Sequence, residues 1–185
     1  LLHQFFENLF LEFYLIDLKN DKAYKKSEKI TFWDAVTEIP TKFAFSPDET
    51  KFVYIDDYAH HPEELRACIA AVKEMYPSKK ITGVFQPHLF ARTRDFADEF
   101  ARSLELLDAV ILLDIYPARE KPIEGSTSAM LLDKIRSSNR KVISKEELVA
   151  ELKERKLEVL LTLGAGDIDT LIEPIKNELM KIEAV

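Results

Sequence analysis

The sequence predicts a Rossmann-like, doubly wound α/β fold: a mostly parallel sheet with helices on both faces, plus an N-terminal appendage. Three observations carry this. From residue 51 onward, short apolar runs alternate with segments of helical period. The runs are continuous, as in strands buried on both faces. Strand-then-helix alternation also builds parallel sheets rather than sandwiches.

The elements follow in order. Leu9–Leu18 fits a strand or a helix, and its periodicity does not choose between them; Asn20-Asp21 reads as a turn. Thr41–Ile55 reads as a hairpin, with Lys42-Phe43-Ala44-Phe45 turning through Ser46-Pro47-Asp48-Glu49 into a strand from Lys51. The run Phe52–Ile55 precedes a helix over Pro62–Tyr76 that places Leu65, Ile69, Val72 and Met75 on one face. The run Ile81–Phe85 precedes a helix near Arg94–Leu107, with Phe96, Phe100, Leu104 and Leu107 inward. Ala109–Ile115 leads through a loop to a helix at Ser128–Ile135. The short strand Lys141–Ile143 is followed by the helix Lys145–Lys156, whose charges read as a solvated face with a favourable Glu151–Arg155 pair and an unfavourable Glu147–Glu151 pair. Glu158–Leu163 ends at Gly164-Ala165-Gly166 and a helix carrying Ile168, Leu171, Ile172, Ile175 and Leu179. Pro174 either kinks that helix or restarts it from the first turn.

Composition excludes several classes. The 185 residues make one domain, or one with an appendage, and 46% hydrophobic residues suffice for a packed core. A net charge of −7 argues against a general nucleic-acid binder. Cys68 stands alone, so no internal disulfide can form and a reducing, cytoplasmic setting is expected. None of the four glycines begins a P-loop. Leu1–Leu18 is interrupted by His3, Glu7, Asn8, Glu12 and Asp17, which fits neither a membrane span nor a signal peptide. A chain starting with Leu reads as part of a longer protein.

In such sheets the ligand crevice lies beyond the carboxyl ends of the strands. Those positions hold Asp56–His61, Gln86–Arg94, Tyr116–Pro122 and Gly164–Asp167, with three of the four histidines and a group of arginines. At most one of Asp56 and Asp57 should face the crevice, to accept ribose hydroxyls or hold a cation; the plainer reading is a strand-end turn. His60 and His61 are adjacent, chelate one metal poorly, and precede Pro62 at a helix start, so one is expected in a polar pocket and no metal site is expected. Arg92 and Arg94 precede a helix expected to begin near Asp95, where cations oppose the helix dipole unless an anion binds; the alternative is pairing with Asp95, Asp98 and Glu99. His88, after Pro87, is rigidly presented with its role open. Gly164-Ala165-Gly166 is half of a dinucleotide fingerprint, more simply a tight turn with Asp167 as N-cap.

Taken together, Asp56-Asp57-Tyr58-Ala59-His60-His61-Pro62, Phe85-Gln86-Pro87-His88-Leu89-Phe90-Ala91-Arg92-Thr93-Arg94-Asp95, Tyr116-Pro117-Ala118-Arg119-Glu120 with Pro122 and Gly125, and Gly164-Ala165-Gly166-Asp167-Ile168 resemble the C-terminal domain of the Mur ligase family, in particular the branch that adds L-alanine to UDP-N-acetylmuramate in peptidoglycan synthesis. The resemblance covers roughly residues 42–182. It implies an ATP-dependent amide ligase acting through an acyl phosphate, with UDP-N-acetylmuramate, L-alanine and ATP as partners of the full-length enzyme and no nucleic acid or membrane. It implies that ATP and Mg²⁺ are held mainly by a central P-loop domain that this chain lacks, so the chain alone should be inactive. By position, Asp57 resembles the ribose-binding acid; Tyr58, His60 and His88 would surround alanine and the reacting carboxyl; Arg92, with His88 catalytic, would neutralise the acyl phosphate or the alanine carboxylate; Arg94 is a further substrate contact. Leu89 stands where some relatives carry a basic residue, which shifts an anion contact towards Arg119 or Lys121. Residues 1–41 fall outside the resemblance and read as a separate segment, a remnant of the central domain or an artefact of the gene; residues 42–185 form the domain proper. The alternatives are the related ligase that attaches recycled tripeptide, a metal phosphoesterase built on the Asp-Asp and His-His pairs, and a non-catalytic interaction module.

Overall fold

The computed structural model describes the backbone of residues 11–17 and 22–27 and the continuous stretch 51–180. In chain order these form β1 (Leu11–Asp17), β2 (Lys22–Ser27), β3 (Lys51–Asp57), α1 (Pro62–Met75), β4 (Ile81–Phe85), α2 (Phe90–Asp95), α3 (Ala97–Leu104), β5 (Ala109–Leu112), α4 (Ser128–Lys134), β6 (Arg140–Val142), α5 (Lys145–Lys153), β7 (Val159–Leu163), a 3₁₀ turn (Ile168–Leu171) and α6 (Ile172–Met180). The sheet runs β2-β1-β3-β7-β4-β5-β6. The five strands from β3 to β6 are mutually parallel, while β1 pairs antiparallel with both β2 and β3.

Strand alternation sorts the core into two layers. Val53, Ile55, Ile81, Phe85, Val110, Leu112, Leu161 and Leu163 pack with Leu65, Ile69, Phe100, Leu104 and Leu131 of α1, α3 and α4. Phe52, Tyr54, Val84, Ile111 and Leu160 pack with Leu148, Leu152, Ile172 and Ile175 of α5 and α6. Helices therefore cover both faces, as the apolar runs predict.

Several expectations are corrected. Leu11–Asp17 is a strand. It is the antiparallel neighbour of β3, and β7 takes the other edge. The segment 42–45, the turn 46–49 and the Asn20-Asp21 turn lie outside the described residues. The helix expected from Arg94 is two helices that meet at Phe96 (φ −113°, ψ 22°). That break shifts the helical phase, so Phe96 does not join Phe100 in the core but sits 37% exposed. Pro174 lies in the first turn of α6, after the 3₁₀ turn, where its missing N–H costs no helical hydrogen bond.

Candidate functional site

The loop after β3 is built on a carboxylate. Asp57 is 5% exposed, and its Oδ1 accepts from the Ala59 amide at 2.6 Å. Burial pushes its pKa from 3.8 up to about 7, against the Ala59 hydrogen bond and with help from the Asp56 and Glu64 charges. Its Oδ2 is enclosed and has no hydrogen-bond partner. The neighbouring Asp56 points away and accepts from Thr162 Oγ1. One carboxylate of the pair thus lies under the loop and the other does not.

The two histidines diverge as adjacent residues should. His61 is the N-cap of α1 and packs on Phe96 with ring centroids 4.9 Å apart. Glu64 closes the capping box, its Oε2 accepting from the His60 and His61 amides at 3.0 Å each. His60 Nδ1 lies 3.1 Å from the Tyr58 carbonyl and 3.3 Å from Glu64 Oε2. Tyr58, 65% exposed, stands edge-on to His60 at 5.3 Å.

Beyond β4 and β5 the chains stay side by side. Tyr116 N donates to Pro87 O at 2.8 Å, and Leu89 N donates to Tyr116 O at 3.0 Å. This bridge stacks His88 on Tyr116, centroids 5.6 Å apart and rings 21° from parallel. Leu89 then adopts φ 71°, a conformation that costs a residue with a Cβ about 1–3 kcal/mol, and turns the chain into α2. Glu120 Oε2 accepts from Ala91 N at 3.1 Å, and Ser126 Oγ donates to Phe90 O at 2.7 Å, so the loop after β5 clamps the start of α2.

Because α2 starts at Phe90, Arg92 and Arg94 occupy its last turn, and the argument that they oppose a helix N-terminus does not apply. One amide of the α2 N-terminus, that of Ala91, is already held by Glu120. Arg92 reaches inward instead, its Nη1 3.4 Å from His88 Nδ1. Arg94 turns outward and pairs with Asp95, both half-exposed. His60 and His88 stand 6.0 Å apart, edge to face. Tyr58, His60, His88 and Arg92 are therefore brought together, Asp57 lies beneath them, and Arg94 is left outside.

Burial holds the His88 imidazole below its ordinary pKa, reinforced by Arg92 and His60 and opposed by Glu120. Next to it, Gly164 (φ 147°) and Gly166 bring the β7 loop so close that added Cβ atoms would meet Gln86 O at 2.8 Å and Gln86 Oε1 at 2.3 Å. Gln86 Nε2 donates to Asp167 Oδ1 at 2.8 Å, and Lys145 Nζ donates to Asp167 Oδ2. Burial raises the Asp167 pKa, but Lys145 and Gln86 outweigh it and hold the carboxyl below the usual range. Asp167 begins the 3₁₀ turn without capping it through its side chain. Among the described residues, no three His, Cys, Asp or Glu side chains gather closely enough to hold a metal ion.

Sequence reasoning placed Gln86, Tyr116 and Glu120 at the rim without giving them a role, and missed Lys145. Lys145 was legible in one respect: it follows the short strand β6, and the crevice rule applies to that strand too.

The family described as Mur ligase, glutamate ligase domain, matches residues 43–166. The chain belongs to the Mur ligase family. Within that family, it is 56% identical over 138 residues to the UDP-N-acetylmuramate–L-alanine ligase of Cytophaga hutchinsonii, covering 75% of this chain and 30% of that protein. It is 53% identical over 141 residues to the enzyme of the same name from Flavobacterium psychrophilum, covering 76% and 32%. The chain thus spans about a third of the length of the curated Mur ligases it matches. Among solved structures it resembles the UDP-N-acetylmuramate-alanine ligase of Thermotoga maritima, with TM-score 0.55 and 28% identity over 72% of this chain and 28% of that one. A murein peptide ligase from Psychrobacter arcticus shares the fold, with TM-score 0.56 and 16% identity over 71% of this chain and 28% of that one. No helix among the described residues is long and apolar enough to cross a membrane.

Proposed function

We propose that this chain is the C-terminal domain, residues 42–185 with 1–41 as a separate segment, of a cytoplasmic ATP-dependent ligase that joins L-alanine to UDP-N-acetylmuramate. The observation that carries the reading is the convergence of Tyr58, His60, His88 and Arg92 at one rim of the sheet, in a chain whose matched three-quarters is more than half identical to proteins named for that reaction. In this reading ATP converts the muramate carboxylate to an acyl phosphate, and the amine of L-alanine displaces phosphate. This domain forms half of the cavity, and its closure over a nucleotide-holding domain excludes the water that would hydrolyse the acyl phosphate.

The residues divide the work by chemistry. Arg92 retains donors beyond the one directed at His88, and they face an acyl phosphate or the alanine carboxylate. Tyr58 and His60 line the amine side, with Arg94 an outer contact. Asp57 takes the nucleotide ribose: its partnerless Oδ2 supports this, and the enclosure of that atom makes movement of the 58–61 loop a condition. In this reading Mg²⁺ and ATP belong to the nucleotide-holding domain.

The test joins this chain to the first two-thirds of the Cytophaga hutchinsonii relative. Alanine-dependent ADP release with UDP-N-acetylmuramate is expected, and none from the 185-residue chain alone. Release with the recycled tripeptide but not with alanine would overturn the reading in favour of the sister ligase. In the joined enzyme Arg92→Ala should lower kcat/KM by about 2–4 kcal/mol of transition-state stabilisation; an unchanged value would remove Arg92 from the site.

A further inference from the structure

The two crevice histidines have different partners at the same ring atom. His60 Nδ1 faces acceptors, the Tyr58 carbonyl at 3.1 Å and the Glu64 carboxylate at 3.3 Å. A carbonyl and an ionised carboxylate can only accept, so Nδ1 of His60 must carry the hydrogen. His88 Nδ1 faces a donor, Arg92 Nη1 at 3.4 Å. A guanidinium can only donate, so Nδ1 of His88 must be bare and its hydrogen must sit on Nε2. Among the described residues nothing partners Nε2 of either ring.

We propose that His60 and His88 are held in opposite tautomers, so that the crevice offers one bare nitrogen, Nε2 of His60, beside one donor, Nε2–H of His88, and takes an amine nucleophile together with the acyl oxygen it attacks. Glu64 and Arg92 are the positioning residues that set the two tautomers. The inference rests on the amide-ligase reading for its ligand but not for its geometry. In the step it describes, the amine nitrogen bonds to the acyl carbon and the carbon–oxygen bond to phosphate breaks. Phosphate leaves with the bonding pair, one amine proton passes to His60 Nε2, and the charge on the acyl oxygen is met by His88 Nε2–H and an Arg92 donor.

The surroundings agree. His88 is faced by Arg92 from α2, His60 from the β3 loop, and Tyr116 and Glu120 from the β5 loop; burial and then the Arg92 charge hold its pKa below the ordinary value, against Glu120. A neutral ring with hydrogen on Nε2 is a donor over a wide pH range, whereas His60 is faced by Glu64 from α1, the Tyr58 ring and carbonyl, and His88. A carboxylate behind Nδ1 orients an imidazole and fixes its tautomer, leaving the other nitrogen turned to the crevice.

Long-range ¹H–¹⁵N correlation of the imidazoles in the 185-residue chain tests this directly, with signals assigned from His60→Gln and His88→Gln. At neutral pH we expect His60 protonated at Nδ1 and bare at Nε2, and His88 the reverse. Arg92→Met should release His88 into a mixture of tautomers and raise its titration midpoint; a role confined to packing would leave the tautomer as it was. Hydrogen on Nδ1 of His88, or the same tautomer on both rings, overturns the proposal. In the joined enzyme His60→Gln should lower kcat about a hundredfold and flatten the acid limb of its pH profile; an acid limb that persists removes His60 as the base. If the tautomers are as stated but the joined enzyme makes no amide, the ligase reading falls and the tautomer assignment stands.

Discussion

The two ends of the parallel strands handle their polar groups in opposite ways. At the amino ends, Glu158 accepts from the Lys80 amide at 2.9 Å and from Lys79 Nζ at 3.2 Å, and Asp108 accepts from the Ile81 amide at 2.9 Å. The Lys80 amide, with help from Lys79, holds the Glu158 carboxyl below its usual range. At the carboxyl ends, Asp57 is pushed up to about 7, Gln86 Oε1 and Asp57 Oδ2 lack partners, and Leu89 is strained. The acids at the amino rim join the fold together; at the carboxyl rim Asp167 is likewise paired, with Lys145 and Gln86, but Asp57, Gln86 Oε1 and Leu89 are kept in states that water or a well-paired protein would not allow. Such local conflict concentrates at functional sites, because function and not folding requires it. The carboxyl rim thus differs from the amino rim in where such conflict gathers.

Three experiments sharpen or break that contrast. The largest effect is expected from Gly164→Ala. At φ 147° the new Cβ meets the Gln86 carbonyl at 2.8 Å, and urea denaturation should register a loss of about 3–4 kcal/mol. A loss under 1 kcal/mol would mean that the carboxyl-end rim is not held by this backbone approach.

Asp57→Asn comes next and has the opposite sign. Its folded pKa of about 7 lies above 3.8, so the folded chain holds this proton more tightly than the unfolded one. The group therefore costs nothing below about pH 4, costs progressively more as pH rises, and opposes folding fully above about pH 7. Asn keeps an acceptor for the Ala59 amide and carries no charge. It should stabilise the chain at pH 8 by about 2–3 kcal/mol and leave stability at pH 4 nearly unchanged. Destabilisation at pH 8 would place Asp57 with the well-paired acids of the other rim.

Glu158→Gln should have the smallest effect, a loss below about 1 kcal/mol, since the side chain is partly exposed. The folded pKa here is depressed. The contribution is present above the ordinary carboxylate pKa and vanishes as pH falls through the folded value, the reverse of Asp57. A gain on removing Glu158 would erase the distinction between the rims.

Much of the fold was legible because strand runs and helical periods are properties of single segments. The apolar runs at Phe52–Ile55, Ile81–Phe85 and Glu158–Leu163 located β3, β4 and β7 to within a residue or two. The start of α2 was not legible: Leu89 takes a conformation that no propensity favours, and the carboxylate at that helix end comes from Glu120, 29 residues downstream of Ala91. Lys145 read as one charge on a solvated helix, yet it reaches Asp167, 22 residues away. Phe96 reads as core only if the helix around it is continuous, and the break before α3 undoes that phase.

By itself the sequence determined which segments become strands, which become helices, and hence which loops end up at the carboxyl rim, because burial patterns repeat within each element and parallel connections permit few arrangements. Only the tertiary structure decided what each of those loops can do. Whether His88 donates or accepts, whether Asp57 is charged and whether Arg92 turns inward while Arg94 turns outward depend on partners from other strands, at separations where a few tenths of an ångström make or lose a hydrogen bond, and no periodicity along one segment encodes that distance.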